Sequence, residues 1–206
     1  IGCDQLIIIS QSKEYDGKLI FYNSDGSITG ACGNGTRCVA YFLSIEKGKN
    51  NILLKTDSGI LNSKIINREN VETEMGKAKF YWKEIPLTKE LDTKNLNIKI
   101  SDQSNKEFTG GTAINIGNPH LIFFVENIDA YDLIKIGSRL ERHEYFPERC
   151  NVTLAKIINK KTIQVKVWER GAGLTEACGT AACATAFVAN IENLGISKTE
   201  IEFSTG

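Results

Sequence analysis

The stretch GACGNGTRCVAYFL, residues 30–43, places a cysteine directly before a Gly-x-Gly turn and an apolar run. A second stretch, EACGTAACATAFVA at residues 176–189, repeats Ala-Cys-Gly and then an Ala-aromatic pair in the same register. A strand-like segment with an acidic residue and glycines precedes each copy, FYNSDGSITG and VWERGAGLTE. Self-similarity of this kind indicates a duplicated architecture. We therefore predict two similar half-domains, residues 1–107 and 108–206, joined near SNKEFTGG.

The composition is that of an ordinary globular protein. The chain has 206 residues, of which 41% are hydrophobic and 24% charged, enough for one large domain or two small ones. The formal net charge is zero, which gives no sign of a nucleic-acid or polybasic membrane surface. The longest apolar runs, LIIIS and HLIFFV, are far too short to span a bilayer. We expect a cytoplasmic protein with no nucleic-acid or membrane partner.

Six cysteines raise the question of disulfides or a metal site. A chain of this length does not need disulfides for stability, so reduced thiols are favoured over a disulfide framework. No C-x2-C pair is present, and the spacings of Cys32 to Cys38 and Cys178 to Cys183 do not place both thiols on one side of a helix. No metal site is expected. The remaining two cysteines are Cys3 and Cys150.

Strand-like segments outnumber helical ones and do not alternate with them, which argues against a doubly wound parallel sheet. Helices are predicted at residues 34–47, 180–194 and 131–140, the last with Asp129 as its N-cap. We predict an α+β fold of two similar, mostly antiparallel half-domains, each with a central helix that starts at a Cys-Gly turn, and an active site in the cleft between them. The predicted strands are QLIIIS, KLIFYNS, NILLKTDSG, ILNSKIIN, KAKFYW, AINIGNPHLIFFV, NVTLAKIIN and TIQVKVWER.

A Cys-Gly turn before a helix suits the binding of an anion beside a reactive sulfur. Gly33 and Gly35 allow close approach of a ligand, and the first turn of the helix offers free N–H groups. A thiol at this position is expected to have its pKa lowered below the usual value of about 8.5. The turn is not a Walker loop, since no Gly-Lys-Ser/Thr follows, and it is not the dinucleotide pattern, since Cys38 stands where the third glycine would be.

Two such thiols on facing half-domains favour a racemase or epimerase. One thiolate would remove an α-proton while the opposite thiol delivers one to the other face. Other interpretations stay open from these residues alone. They are a buried cysteine that merely caps a helix, a cysteine hydrolase that uses His120 or His143, and a thiol-redox pair.

The motifs FYNSDGSITGACGNGTRC, NIGNPH, FPERCNV and ERGAGLTEACGTAAC make the chain resemble the diaminopimelate epimerase family over its whole visible length. The resemblance implies that Cys32 and Cys178 are the two catalytic bases. It implies epimerisation of LL-2,6-diaminopimelate to the meso isomer, in the synthesis of lysine and peptidoglycan precursors, without a cofactor. The nearest alternative is a proline or hydroxyproline racemase, which typically carries His at the position of Asn34.

The resemblance also implies a set of substrate-binding residues. Glu169 and Arg170 match the partners of the distal ammonium and carboxylate of the substrate, and a guanidinium fork suits a carboxylate. His120 would tune a thiol or be a satisfied polar side chain. The side-chain amides that match the family are Gln5, Asn23, Asn118 and Asn151, and the backbone N–H groups expected at the α-carboxylate are those of Gly33, Asn34, Gly179 and Thr180.

The chain departs from the family pattern in two ways. Ala181 replaces the second glycine of the family's ACGTG, which we expect to cost little because alanine suits a helical first turn. The family's N-terminal strand, with another substrate-binding Asn, and its closing C-terminal strand segment are absent from the printed residues. The expected partner is the small-molecule substrate, and a homodimer is the assembly that we consider.

Overall fold

The computed structural model describes residues 2–3, 5–30, 32–194 and 197–204. The chain divides into two compact units, Ile1–Lys77 and Ala78–Gly206. The division therefore lies well before the predicted boundary between residues 107 and 108. The reason is a strand pair, Ile98–Ser101 with Glu107–Gly110, which spans that point. SNKEFTGG is thus the turn and second strand of a hairpin inside the second unit and does not join two domains.

The first unit is a six-stranded sheet covered by one helix. Antiparallel pairing joins all neighbouring strands except β2 and β4, which are parallel. The inward face of β2 buries Leu19 and Phe21 completely, as its alternating sequence predicts. The strands are β1 Gln5–Ser10, β2 Gly17–Asn23, β3 Ile28–Thr29, β4 Asn51–Thr56, β5 Gly59–Ile65 and β6 Val71–Thr73, in the order β1-β2-β4-β5-β6 with β3 on β2.

Helix α1, Gly33–Lys47, confirms the helix predicted after the first Cys-Gly turn. It ends at Gly48, whose φ of 64° is the left-handed conformation that favours glycine at a helix C-terminus. Its buried face presents Val39, Ala40 and Leu43 to the sheet, and these form the core of the unit with the inward side chains of the strands.

The second unit has a six-stranded sheet, a separate two-stranded ribbon and two α-helices. Its core lies between the sheet, the ribbon and α2, and includes Ile100, Leu121, Phe123, Leu140 and Val152. No helix among the residues that the structure describes is long and apolar enough to cross a membrane. The elements are β7 Ile98–Ser101, β8 Glu107–Gly110, β9 Thr112–Asn115, β10 Pro119–Phe124, α2 Leu133–Leu140, β11 Asn151–Asn159, β12 Thr162–Glu169, β13 Gly173–Thr175, α3 Gly179–Ile191 and β14 Glu200–Glu202. The sheet order is β13-β12-β11-β10-β9, with β14 on β12.

The two units repeat one topological sequence. In the first, β1 and β2 are antiparallel, β3 folds back on β2, α1 follows, and β4 pairs parallel to β2. In the second, β11 and β12 are antiparallel, β13 folds back on β12, α3 follows, and β14 pairs parallel to β12. This correspondence confirms the predicted fold class of two similar, mostly antiparallel halves, each with a helix that starts at a Cys-Gly turn.

Three local predictions differ from the structure. Helix α2 begins at Leu133, and Asp132 caps it by accepting a hydrogen bond from the Lys135 N–H; Asp129 lies in a preceding 3₁₀ turn, Ile128–Ala130. The segment KAKFYW is not a strand and makes only an isolated bridge from Lys79 to Asn115, because a run of turns begins within it at Tyr81. AINIGNPHLIFFV is a hairpin of β9 and β10, with Gly117 at a φ of 96° in its turn.

Candidate active site

Cys32 is the N-cap of α1. Its backbone is extended, with φ −144° and ψ 97°, and its Sγ accepts a hydrogen bond from the Gly35 N–H at 3.4 Å. The thiol thus takes the place of the oxygen that usually caps a helix. It is half-buried, so the sulfur is held at the N-terminus of α1 in the position that the sequence predicts. Ala31, the first residue of the repeated Ala-Cys-Gly, lies outside the described residues.

Gly35 is closely packed against β1 and Cys32. A Cβ built on Gly35 would overlap the end of the Ile7 side chain of β1 and lie 3.0 Å from Cys32 Sγ. A side chain at position 35 would therefore require Ile7 to move and would crowd the sulfur. Gly33 and Asn34, which are expected to bind the substrate through backbone N–H groups, are the first two residues of α1. Their N–H groups belong to the turn whose donors have no partner within the helix.

Cys178 is the N-cap of α3 and has almost the same backbone conformation as Cys32, with φ −141° and ψ 108°. Its side chain makes no capping hydrogen bond, and its Sγ lies 3.4 Å from Thr180 Oγ1. Only 5% of the residue is exposed. Gly179 and Thr180 begin α3 as Gly33 and Asn34 begin α1. The two cysteines therefore share a position in the fold but differ in burial and in hydrogen bonding.

The pKa of Cys178 contradicts the expectation for a helix N-terminus. Burial raises the pKa of this thiol above its usual range, the negative charge of Glu169 raises it further, and the contact with Thr180 opposes the change. Desolvation of the thiolate outweighs the field at the start of α3. Ala181 lies in α3 and its φ is not positive, so an alanine at this position does not strain the turn.

In the first unit, Gln5 and Asn23 lie side by side. They are paired residues on neighbouring strands β1 and β2, and Gln5 Nε2 donates to Asn23 Oδ1 at 3.0 Å. Asn23 Nδ2 in turn donates to Ser27 Oγ at 3.1 Å, across the turn that leads to β3. The structure thus orients the two predicted amides together and uses part of their hydrogen-bonding capacity to do so.

In the second unit, Asn118, His120 and Asn151 come together where the parallel strands β10 and β11 begin. His120 and Asn151 are register partners, and all three residues are buried. The Nε2 atom of His120 lies 2.8 Å from Asn118 Oδ1, and Asn151 Nδ2 donates to the Pro119 carbonyl at 3.0 Å. The Nδ1 atom of His120 has no hydrogen-bond partner among the described residues. Because Oδ1 accepts, Nε2 carries the proton of a neutral ring.

Glu169 and Arg170 lie at the end of β12 and adjoin this cluster. The Arg170 N–H donates to Asn151 Oδ1 at 3.0 Å, and Arg170 Nη1 donates to the Glu148 carbonyl at 3.0 Å. Glu169 Oε1 accepts a hydrogen bond from Thr175 Oγ1 at 2.6 Å. Hydrogen bonds and charge interactions therefore link four predicted residues of the second unit, Asn118, His120, Asn151 and Arg170, and Glu169, next to Arg170 in the chain, interacts with Cys178.

His120 gives a pH-dependent prediction. Burial, with the positive charge of Arg170, lowers its pKa from 6.5 to about 3. Because the folded-state pKa lies below the unfolded value, its contribution to stability is complete above pH 6.5 and is lost as the pH falls towards 3. Urea unfolding at pH 7 and pH 5 is expected to show a loss of about 2 kcal/mol from this group, at about 1.4 kcal/mol per pH unit.

A His120→Gln variant should lack that part of the pH dependence. The pKa of His143 is also lowered by burial, so His143 contributes in the same window in both proteins. The difference between wild type and variant isolates His120. Equal slopes between pH 7 and pH 5 would show that His120 is not held neutral by burial.

Sequence reasoning missed one charged residue of this region. Glu141 follows α2 and is buried, and its carboxylate accepts hydrogen bonds from Trp168 Nε1 and the Gly171 N–H. In the sequence it stands between arginines in the segment SRLERHEY and looks like any surface charge. No local pattern distinguishes it, because its donors lie far along the chain.

Comparison with known proteins decides the family. The family model described as diaminopimelate epimerase matches residues 1–81 and 112–206. The chain belongs to the diaminopimelate epimerase family. It is 62% identical over 206 residues to the diaminopimelate epimerase of Pelagibacter ubique, covering 100% of this chain and 75% of that protein. It is 41% identical over 207 residues to that of Zymomonas mobilis, covering 100% of this chain and 73% of the relative.

Solved structures extend the likeness of the fold beyond the diaminopimelate epimerase family. A hydroxyproline epimerase from Agrobacterium vitis aligns with a TM-score of 0.63 at 14% identity, over 92% of this chain and 60% of that one. A phenazine biosynthesis protein from Bacillus anthracis aligns with a TM-score of 0.56 at 15% identity, over 91% and 66%. At such identities the likeness concerns the fold alone, and the epimerase family is distinguished by its sequence motifs.

Proposed function

We propose that this protein converts LL-2,6-diaminopimelate to meso-diaminopimelate, with Cys32 and Cys178 as the two acid–base groups. The family to which the chain belongs catalyses this conversion, which supplies lysine and peptidoglycan precursors. The observation that carries the residue assignment is the repeated N-cap cysteine, one at the start of α1 and one at the start of α3. All six cysteines are free thiols, which supports the proposal of a cytoplasmic site where thiols stay reduced.

In the proposed reaction, one sulfur accepts a proton and the other donates one. The thiolate of one cysteine takes the α-proton, and the electron pair left on the α-carbon is delocalised into the α-carboxylate. The opposite thiol then delivers its proton to the other face and becomes the thiolate. Because burial and Glu169 raise the pKa of Cys178, we assign Cys178 as the thiol that delivers a proton and Cys32 as the thiolate that removes one. Before the next LL-diaminopimelate molecule reacts, Cys32 loses its proton to solvent and Cys178 takes one up, which restores the starting states.

The remaining residues are proposed to hold the substrate. The N–H groups at the starts of α1 and α3 would bind the α-carboxylate and stabilise the charge that develops on it. At the distal end, Arg170 would bind the carboxylate and Glu169 the ammonium group, with the amides Gln5, Asn23, Asn118 and Asn151 beside them. The neutral His120 offers Nδ1 as a hydrogen-bond acceptor close to Arg170.

The test is proton NMR of the protein with LL-diaminopimelate in D2O, with reductant and no added cofactor. We expect loss of the α-proton signal and formation of the meso isomer. If the α-proton of proline exchanges with D2O and that of diaminopimelate does not, the result would favour the alternative, a proline or hydroxyproline racemase of the same mechanism. No exchange with either substrate, together with a reversible thiol–disulfide change, would favour a redox protein.

A further inference from the structure

Glu141 is a buried carboxylate outside the set of residues assigned to the substrate. It follows the last residue of α2, and only 4% of it is exposed, which is rare for a charged residue without partners. Its Oε2 accepts a hydrogen bond from Trp168 Nε1 at 2.8 Å, and its Oε1 accepts one from the Gly171 N–H at 3.2 Å. Arg149 Nη1 lies 3.7 Å from the same Oε1. A buried charge with this many donors serves a defined geometry.

The two donors lie on either side of Glu169 and Arg170. Trp168 precedes the pair in β12, and Gly171 follows it with a φ of 76°, in the left-handed region. One carboxylate therefore bridges both ends of the turn that carries the pair. Arg170 is held from another direction by Asn151. The Glu141 carbonyl also accepts a hydrogen bond from the Cys150 N–H at 3.1 Å, next to the start of β11.

The negative charge of Glu141 also stabilises the charged form of Arg170. Burial lowers the pKa of Arg170, and Glu148 and Glu141 are among the negative charges that raise it again. Glu141 also lies next to Arg149. It thus supplies negative charge beside two guanidinium groups, and for Arg170 this charge opposes the effect of burial.

We propose that Glu141 is a positioning residue for diaminopimelate, which fixes the turn of Glu169 and Arg170 through Trp168 and Gly171. The inference rests on the proposed function, because it assigns Glu169 and Arg170 to the distal end of the substrate. Misplacing that end by about 1 Å is costly, since it moves the α-carbon relative to the groups that act on it.

Glu141→Gln tests the inference. Glutamine offers one acceptor oxygen, and its NH2 group would face an N–H donor, so one of the two hydrogen bonds must be lost. We expect kcat/KM for LL-diaminopimelate to fall about tenfold or more, mainly through a higher KM. The matched control is Glu144→Gln, which removes an exposed carboxylate from the same segment and should leave kcat/KM unchanged.

The indole N–H signals in 15N NMR provide a readout that does not depend on activity. The protein has two tryptophans, and in Glu141→Gln either the Nε1–H signal of Trp168 or the backbone amide signal of Gly171 should move upfield, according to which hydrogen bond is lost, while the indole signal of Trp82 stays. If Glu141→Gln does not fold, Trp168→Phe removes the donor and keeps an aromatic ring against Gly137. For Trp168→Phe we expect a smaller loss, about threefold, because the charge of Glu141 and its hydrogen bond with Gly171 both remain.

The outcomes separate the two proposals. A wild-type protein that does not exchange the α-proton of diaminopimelate would overturn the proposed function and this inference with it. An active wild type and a Glu141→Gln variant with unchanged kcat/KM, or with both the Trp168 and the Gly171 signals unmoved, would overturn the inference alone. A fall in kcat/KM with a moved Trp168 or Gly171 signal, absent in Glu144→Gln, would support it.

Discussion

Replacing Cys32 or Cys178 by alanine is expected to lower kcat/KM for LL-diaminopimelate by about 10³-fold, because each variant lacks one of the two proton carriers. Both proteins should remain folded. Cys32→Ala loses the hydrogen bond that Sγ accepts from the Gly35 N–H, which should lower the free energy of unfolding by about 1 kcal/mol. Cys178 makes no capping hydrogen bond, so its alanine variant loses the packing of a buried thiol and the contact between Sγ and Thr180 Oγ1. Steady-state kinetics with thermal unfolding measures both effects.

The matched controls are the exposed cysteines on the same two helices. Cys38 lies on α1 and Cys183 on α3, and both are exposed. Cys38→Ala and Cys183→Ala should keep kcat/KM within about twofold of wild type, since surface substitutions rarely have large effects. The two-thiol assignment would be contradicted by a Cys32→Ala or Cys178→Ala protein that retains a tenth of the activity. Equal losses in all four variants would point to a general effect on the fold.

Arg170→Ala is expected to lower kcat/KM about a hundredfold or more. The guanidinium is proposed to bind the distal carboxylate, and hydrogen bonds to charged groups contribute about 1.5–3 kcal/mol each. The backbone should hold, because the N–H of residue 170 still donates to Asn151. Kinetics with diaminopimelate measures the loss.

Two variants act as controls for the charge at position 170. Arg142→Ala removes an exposed arginine that follows α2 and should leave the kinetics unchanged. Arg170→Lys keeps a positive charge without the planar fork, and its kcat/KM should lie between that of Arg170→Ala and that of wild type. Because the charge of Arg170 helps to lower the pKa of His120, that pKa should rise in Arg170→Ala. An unchanged kcat/KM in Arg170→Ala would remove Arg170 from the distal site.

The prediction of local structure from sequence succeeded where the relevant residues are close together in the chain. The Cys-Gly turns, the helices that follow them and the strands before them are local patterns of glycine, capping residue and apolar spacing. Hence both cysteines are found as N-caps, and the repeat reappears as matched topology in the two units. The capping residue of a helix is predicted less well when two candidates are close together. Asp132 rather than Asp129 caps α2, because the chain first makes a 3₁₀ turn.

Features that depend on contacts between residues far apart in the chain could not be predicted in this way. The pairing of Ile98–Ser101 with Glu107–Gly110 rules out the predicted boundary between residues 107 and 108, and turns that begin at Tyr81 interrupt the predicted strand KAKFYW. The pKa of Cys178 is raised because the fold buries its sulfur near Glu169, although the local motif predicted the opposite direction.

The sequence by itself therefore determined the repeated Cys-Gly helix starts, the fold class and the family, because short-range backbone preferences and specific motifs encode them. Only the tertiary structure decided how each thiol is solvated, and that one buried carboxylate, Glu141, bridges the turn of Glu169 and Arg170. The physical reason is that burial and charge interactions arise from residues that the fold, and not the chain order, brings together.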